Sequence, residues 1–211
     1  MLIIGAKGFA KEVLEIFHQK NETENLCFYD DVNSDVPDKL FNQFTILKSL
    51  EQAESHFKTV SNNFVIGIGN PQLRKMIYEK FSSIGGRAIT TISNFSEIGS
   101  FDNKIEEGVI ITSGVIITNS VSIGKCTLIN LSSTIGHDTI IEDFVEICPN
   151  VSISGNCTIG EGTFIGTGAT VLPKIKIGKN VVVAAGSVVT KDIPSNSLVA
   201  GVPAVFKKNL T

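Results

Sequence analysis

Stepping six residues at a time from Ile105 lands on Ile or Val at every position through Val189: Ile105, Ile111, Ile117, Ile123, Ile129, Ile135, Ile141, Ile147, Ile153, Ile159, Ile165, Val171, Ile177, Val183 and Val189. Two residues before each, from Ile111 onward, stands a smaller or β-branched residue, as at Val109, Thr127, Ser133, Cys157 and Ala169. Gly often follows the large residue, as at Gly124, Gly136, Gly160, Gly166 and Gly178. A period of six is neither the 3.6 of a helix nor the alternation of an ordinary strand. It suits a parallel β-helix whose short flat sides each turn one large and one small side chain inward. Three sides make a coil of roughly 18 residues, and coils stack about 4.8 Å apart through strand hydrogen bonds. Each buried aliphatic contributes about 1.5–3 kcal/mol, so the ladder forms a core sufficient in itself. An ordinary β-sandwich would space its turns irregularly.

Residues 1–90 carry no such period. Leu2-Ile3-Ile4 predicts a buried strand, then a Gly-rich turn and a helix whose apolar face is Val13, Leu14, Ile16 and Phe17. Leu26–Tyr29 predicts a second strand ending in Asp30-Asp31, and Phe64–Ile68 a third ending in Gly67-Ile68-Gly69-Asn70. Pro71 opens a helix over 71–82 that carries Arg74 and Lys75. Residues 32–62 are polar and weakly patterned, with one strand and one helix expected. Alternating strands and helices give a small Rossmann-like βαβ sheet. The Gly turn and the Asp pair both fall at carboxyl ends of strands, where open α/β sheets bind ligands. The chain therefore divides into an α/β domain over 1–90 and a β-helix with a C-terminal tail over 91–211.

Composition narrows the function classes. With 18 Lys+Arg against 21 Asp+Glu, the net charge of −3 argues against a nucleic-acid binder. The longest uncharged stretch, 108–124, is rich in Ser, Thr, Asn and Gly, so membrane insertion is not expected. The opening MLIIGAKG lacks signal-peptide features, and Cys27, Cys126, Cys148 and Cys157 form no CxxC pair. Reduced thiols and a cytoplasmic location are the expectation. Of three histidines only His137 lies in the repeat, at an outward position two residues after Ile135. A three-histidine zinc site of the γ-carbonic-anhydrase kind is thereby disfavoured, and no metal is expected. Cys157 falls at an inward position and Cys27 in a strand, while Cys126 and Cys148 are expected outward or in turns.

The repeat, together with the ending GSVVTKDIPSNSLVAGVPA (186–204), resembles the hexapeptide-repeat acyltransferases, whose solenoid is a left-handed β-helix. Adding the Gly turn, the Asp pair, IGNPQLRKMIYEKF (68–81) and LINLSSTIGHDTIIEDF (128–144), nearly the whole chain is similar to bacterial nucleotide-sugar acetyltransferases of the sialic-acid O-acetyltransferase-like group, the bacillosamine-pathway N-acetyltransferase among them. The resemblance implies acetyl-CoA as co-substrate, a nucleotide-sugar acceptor and a homotrimer with a site shared across its interface. It implies His137 as general base, with Asp138 favouring its imidazolium state or tautomer; that partnership needs a bend at a solenoid corner, because adjacent strand residues point apart. Gly5, Ala6, Lys7 and Gly8 are implied for the diphosphate, and Asp30 and Asp31 for base or ribose. Asn70 and Arg74 would close the pocket, and Asn130 would line the sugar. Gly155, Gly166, Ala185, Lys191, Val202 and Pro203 are implied for acetyl-CoA. Relatives often carry His where this chain has Phe9. The alternatives are O-acetylation of sialic acid or another sugar hydroxyl, and a structural or ligand-sensing solenoid. Direct attack is expected over a covalent acetyl-Cys route.

Overall fold

The computed structural model describes residues 1–210. Its α/β module contains β1 (Leu2–Ile4), α1 (Gly8–Gln19), β2 (Cys27–Tyr29), β3 (Lys39–Leu40), β4 (Phe44–Leu47), α2 (Leu50–Thr59), β5 (Asn63–Ile66), α3 (Pro71–Ser83) and β6 (Arg87–Ala88). The sheet order is β3-β4-β2-β1-β5-β6, parallel except for the β3–β4 hairpin. The chain leaves β1 toward β2 and later returns to its other side as β5. The carboxyl ends of these three strands therefore flank the point where winding reverses. Helix α1 buries Ala10, Val13, Leu14, Ile16 and Phe17, the predicted face. Helix α3 starts where the Asn70 side chain accepts the Leu73 amide at 3.0 Å and Pro71 fills the first turn. The third strand stops at Ile66, two residues short of the predicted end. The polar segment 32–62 holds a hairpin and a helix, because Leu40, Phe44 and Ile46 supply a small alternating apolar set.

From Thr91 the chain winds into a three-sided, left-handed parallel β-helix. The first side stacks Ile110 on Leu128 and Leu128 on Glu146, positions 18 apart; the second stacks Ile116 on Thr134, and the third Ser122 on Ile140. The predicted ladder from Ile111 to Val189 is buried throughout, as are the small partners from Val109 to Ser187. Ile98 and Ile92 extend the ladder at its start, and Ile98 lies seven rather than six residues before Ile105. Every sixth residue from Asp102 to Gly186 has φ between +51° and +74°, one at each corner. Gly, Asn and Asp tolerate that conformation, which explains their recurrence there. Ser120, Cys126, Ser132, Phe144 and Lys174 depart from that set, and Phe144 is the aromatic among them: φ +56°, 5 % exposed, with its ring against Tyr78 of α3.

That corner is where the α/β module docks. Arg74, fully buried, donates Nε and Nη2 to the Cys126 carbonyl at 2.8 and 2.6 Å, and Nη1 to the carbonyls of Ile66 and Ile68. Tyr78 donates to Glu107 at 2.6 Å, and Lys75 pairs with Glu161 at 2.9 Å. Ile110 and Leu128, outward on the first side, are fully buried beneath the module. Cys126 stands in a corner turn, as expected, and is buried among module residues; Cys148 is also buried, packed with the solenoid core and not outward.

His56 in α2 is buried, with no partner on Nε2 among the described residues, and burial holds its imidazole below the ordinary value. The folded chain binds that proton less readily than the unfolded chain. Its stability share is full above about pH 6.5 and is lost as the pH falls below that value. Denaturant unfolding at pH 7.5 and 5.5 is expected to give a smaller loss for His56→Gln than for the native chain.

Candidate active site

The crevice at the carboxyl ends of β1, β2 and β5 is a cavity of about 630 Å³. Gly5, Ala6, Lys7 and Gly8 form one wall, Asp30 and Asp31 another, and Phe9 lies beside the Gly turn. Gly5 has φ +102°, and a Cβ there would meet the Gly67 carbonyl at 3.0 Å, so two strand ends approach through this glycine. The Asp30 carboxylate is occupied by the Asn33 amide at 2.9 Å and the Asn33 side chain, which fold the following loop. Asp31 accepts from Tyr29 Oη at 2.7 Å and Lys80 Nζ at 3.1 Å. Burial alone would raise the Asp31 carboxyl, but those hydrogen bonds bring it below its usual range; burial and the same bond push the Tyr29 phenol up. Lys7, which lines the crevice, pairs with Asp35 at 2.8 Å in an exposed contact.

Two expected pocket residues sit elsewhere. Arg74 does not line the cavity; its guanidinium faces the solenoid, and burial lowers its pKa to about 10. Asn70 caps α3. The helix stripe that does line the cavity is Leu73, Met76, Ile77 and Lys80. Its i, i+3, i+4, i+7 spacing was visible in the sequence, one residue out of phase with Arg74.

His137 and Asp138 occupy the corner between the second and third sides, opposite the side that the module covers. Asp138 has φ +57°, and this turn swings its carboxylate back to His137, with Oδ2 2.7 Å from Nδ1. The bend that adjacent residues require is thus the ordinary corner of the coil. With Nδ1–H donating to Asp138, the lone pair of Nε2 is free; both side chains are more than half exposed. Gly155 lies against the ring, where a Cβ would stand 2.7 Å from Nε2. Gly155→Ala is expected to displace the imidazole and lower turnover by about 10²-fold, with an unchanged unfolding midpoint. Steady-state kinetics beside thermal melting checks this.

Gly166 packs against the Ala185 backbone, where a Cβ would stand 2.6 Å from the Ala185 amide nitrogen, on the first side of the upper coils. Lys191 and the Val202-Pro203 pair are exposed near the C-terminal end. Asn130 is buried on the first side, its Oδ1 accepting the Leu131 amide at 2.8 Å. Burial pushes the Cys126 and Cys148 thiols up to about 12 and also raises Cys157, so none is a ready thiolate. Among the described residues, no group of three or more His, Cys, Asp or Glu is placed to hold a metal, and no helix is long and apolar enough to cross a membrane.

An α/β module with a strand-end crevice, docked on a hexapeptide solenoid with an exposed His–Asp corner, defines the class as a hexapeptide-repeat acyltransferase. Residues 1–81 match the PglD N-terminal domain, and 132–171 and 156–191 match the bacterial transferase hexapeptide (six repeats). The GDP-perosamine N-acetyltransferase of Escherichia coli O157:H7 is 28% identical over 204 residues, 94% of this chain and 81% of that protein. A histidine-to-asparagine variant of perosamine N-acetyltransferase from Caulobacter crescentus, solved with CoA and GDP-perosamine, superposes with a TM-score of 0.90 at 26% identity, over 99% of this chain and 96% of that one. The acetyltransferase domain of PglB from Neisseria gonorrhoeae FA1090, in complex with acetyl coenzyme A, gives 0.88 at 26% identity over 98% of both chains. A PglD N-terminal domain followed by transferase hexapeptide repeats makes the chain homologous to the GDP-perosamine and PglB-type N-acetyltransferases.

Proposed function

We propose that this enzyme moves an acetyl group from acetyl-CoA to the amino group of a nucleotide-linked amino sugar. The observation that carries the reading is the oriented His137–Asp138 pair, with Nε2 free at an exposed corner, in a chain that also offers a nucleotide-sized crevice. The crevice holds the nucleoside diphosphate. Gly5, Ala6 and Gly8 let the phosphates approach the backbone, and Lys7 exchanges Asp35 for phosphate charge. Asp30 and Asp31 shape the base and ribose end, and Asn130 meets the sugar. Acetyl-CoA lies along the solenoid near Gly155, Gly166, Ala185, Lys191, Val202 and Pro203.

In the reaction the acceptor nitrogen attacks the thioester carbonyl carbon while His137 Nε2 takes the nitrogen's proton. Asp138 stabilises the resulting imidazolium. The Gly155 amide donates to no group among the described residues, so it is available to the tetrahedral oxyanion. Collapse breaks the C–S bond, and the CoA thiolate leaves with the proton returned by His137. No acetyl-cysteine is needed.

A homotrimer completes the site. The crevice lies beside the first side of the prism and His137 on the opposite edge, so acceptor and base meet when a neighbouring copy supplies one of them. The enzyme works in the cytoplasm, in the synthesis of a surface polysaccharide or other glycan. Measuring CoA release against a panel of UDP-, dTDP-, GDP- and CMP-linked amino sugars tests the proposal. Turnover with at least one amino sugar, and none with its hydroxy analogue, is expected. Turnover confined to free sugars or to hydroxyl acceptors would overturn it.

A further inference from the structure

Glu146 is the acid that neither the fold nor the reaction above explains. It stands outward on the first side of the solenoid, stacked between Leu128 and Phe164, and is 9 % exposed. No cation lies within ion-pair distance among the described residues, and its one hydrogen bond is a long contact of 4.0 Å from the Cys148 thiol. Arg74 is near enough to be felt electrostatically, but its donors are committed to the carbonyls of Cys126, Ile66 and Ile68. Burial accordingly raises the Glu146 carboxyl above its ordinary range. A carboxylate nine-tenths buried, with no strong partner and Oε2 not sealed from outside, is placed to accept a donor from a ligand.

Position indicates which ligand. The carboxylate lies against Gly69, where a Cβ would crowd Oε1 and the carboxyl carbon. Gly69 follows directly on Gly67 and Ile68, which line the nucleotide crevice. The path from the crevice to the solenoid therefore runs over this glycine onto Glu146. On the same side, the Asn130 Nδ2 donates to nothing among the described residues, its Oδ1 being turned to the Leu131 amide. A diphosphate held at the Gly turn would project its sugar along that path.

We propose that Glu146 is a specificity-determining residue that, with Asn130, grips an O–H or N–H donor on the pyranose of the acceptor. The inference rests on the nucleotide-sugar reading above and deepens it by placing the sugar subsite on the outward face of the first side. The carboxylate accepts the donor, the Asn130 amide donates to a sugar oxygen, and Gly69 keeps the passage open. A site built around a buried acceptor discriminates strongly against a sugar that lacks the matching donor.

The test compares the native trimer with Glu146→Gln. The variant is expected to lose about tenfold or more in kcat/KM for the nucleotide amino sugar, with the acetyl-CoA KM unchanged. Calorimetry should show nucleoside diphosphate binding undisturbed and nucleotide-sugar binding weakened, with an equal or higher melting temperature. Repeating the binding with the hydroxy analogue of the sugar separates the donors. Weakening for both sugars assigns a ring hydroxyl, and weakening for the amino sugar alone assigns the ammonium. If Glu146 instead serves only as the distant counter-charge of Arg74, the variant melts lower while sugar binding and turnover stay native, which overturns the proposal. Should the native enzyme acetylate no amino sugar, the functional reading fails first, and the calorimetric comparison still decides the role of Glu146.

Discussion

Replacing His137 with Ala is expected to lower acetyl transfer by about 10²-fold or more, while acetyl-CoA binds with native affinity. The geometry makes the effect specific to the imidazole. Nδ1 is engaged by Asp138 at 2.7 Å, so one nitrogen is fixed and the other keeps its lone pair free. Asp138→Asn retains a hydrogen-bonding partner but removes the charge that steadies the imidazolium, so a smaller loss is expected. Both side chains are more than half exposed, and neither change should disturb the ladder beneath. Steady-state CoA release, with calorimetric binding of acetyl-CoA, separates the chemical step from recognition. Near-native turnover by His137→Ala would remove this residue from the mechanism.

Arg74→Met should produce the largest loss of stability. Among the described residues the guanidinium is the only donor to the Cys126 carbonyl, and it also serves those of Ile66 and Ile68. Two buried acceptors and one part-buried acceptor left without this donor, at about 1–3 kcal/mol for each buried one, put the cost at roughly 3 kcal/mol. The loss falls on the joint between the two modules. Denaturant unfolding followed by circular dichroism is therefore expected to show the helical signal lost at lower denaturant than in the native protein, ahead of the solenoid. A midpoint equal to the native one would mean that the joint does not depend on this residue.

The solenoid was legible because its physics is strictly periodic. An inward Ile or Val every six residues can hardly be satisfied by another fold, and the ladder is buried as that spacing requires. The start of the ladder was less visible because one extra residue between Ile98 and Ile105 breaks the phase. In the first module the Gly turn and the Asp pair could be placed at strand ends, since strand position follows from hydrophobic runs. Arg74 could not be placed. A cation near a strand end reads as an anion ligand, and only the packing of α3 on the solenoid turns it toward backbone carbonyls. Phe144 and Cys126 carry a sequence signal of the docked module. They stand where the corner period calls for Gly, Asn or Asp, and a bulky or apolar residue in that conformation marks the face a second module covers. Glu146 gave no sequence signal, because burial on an outward position depends on the docked module.

The central claim is that an amine on a nucleotide-bound sugar receives the acetyl group. Incubating the enzyme with isotopically labelled acetyl-CoA and an active nucleotide amino sugar, then locating the label by mass spectrometry and mild alkaline treatment, tests it most directly. The predicted product carries the label as an amide that survives alkali, with the nucleotide still attached. A label that alkali removes as an ester, or one found on the protein and not on the sugar, would contradict it.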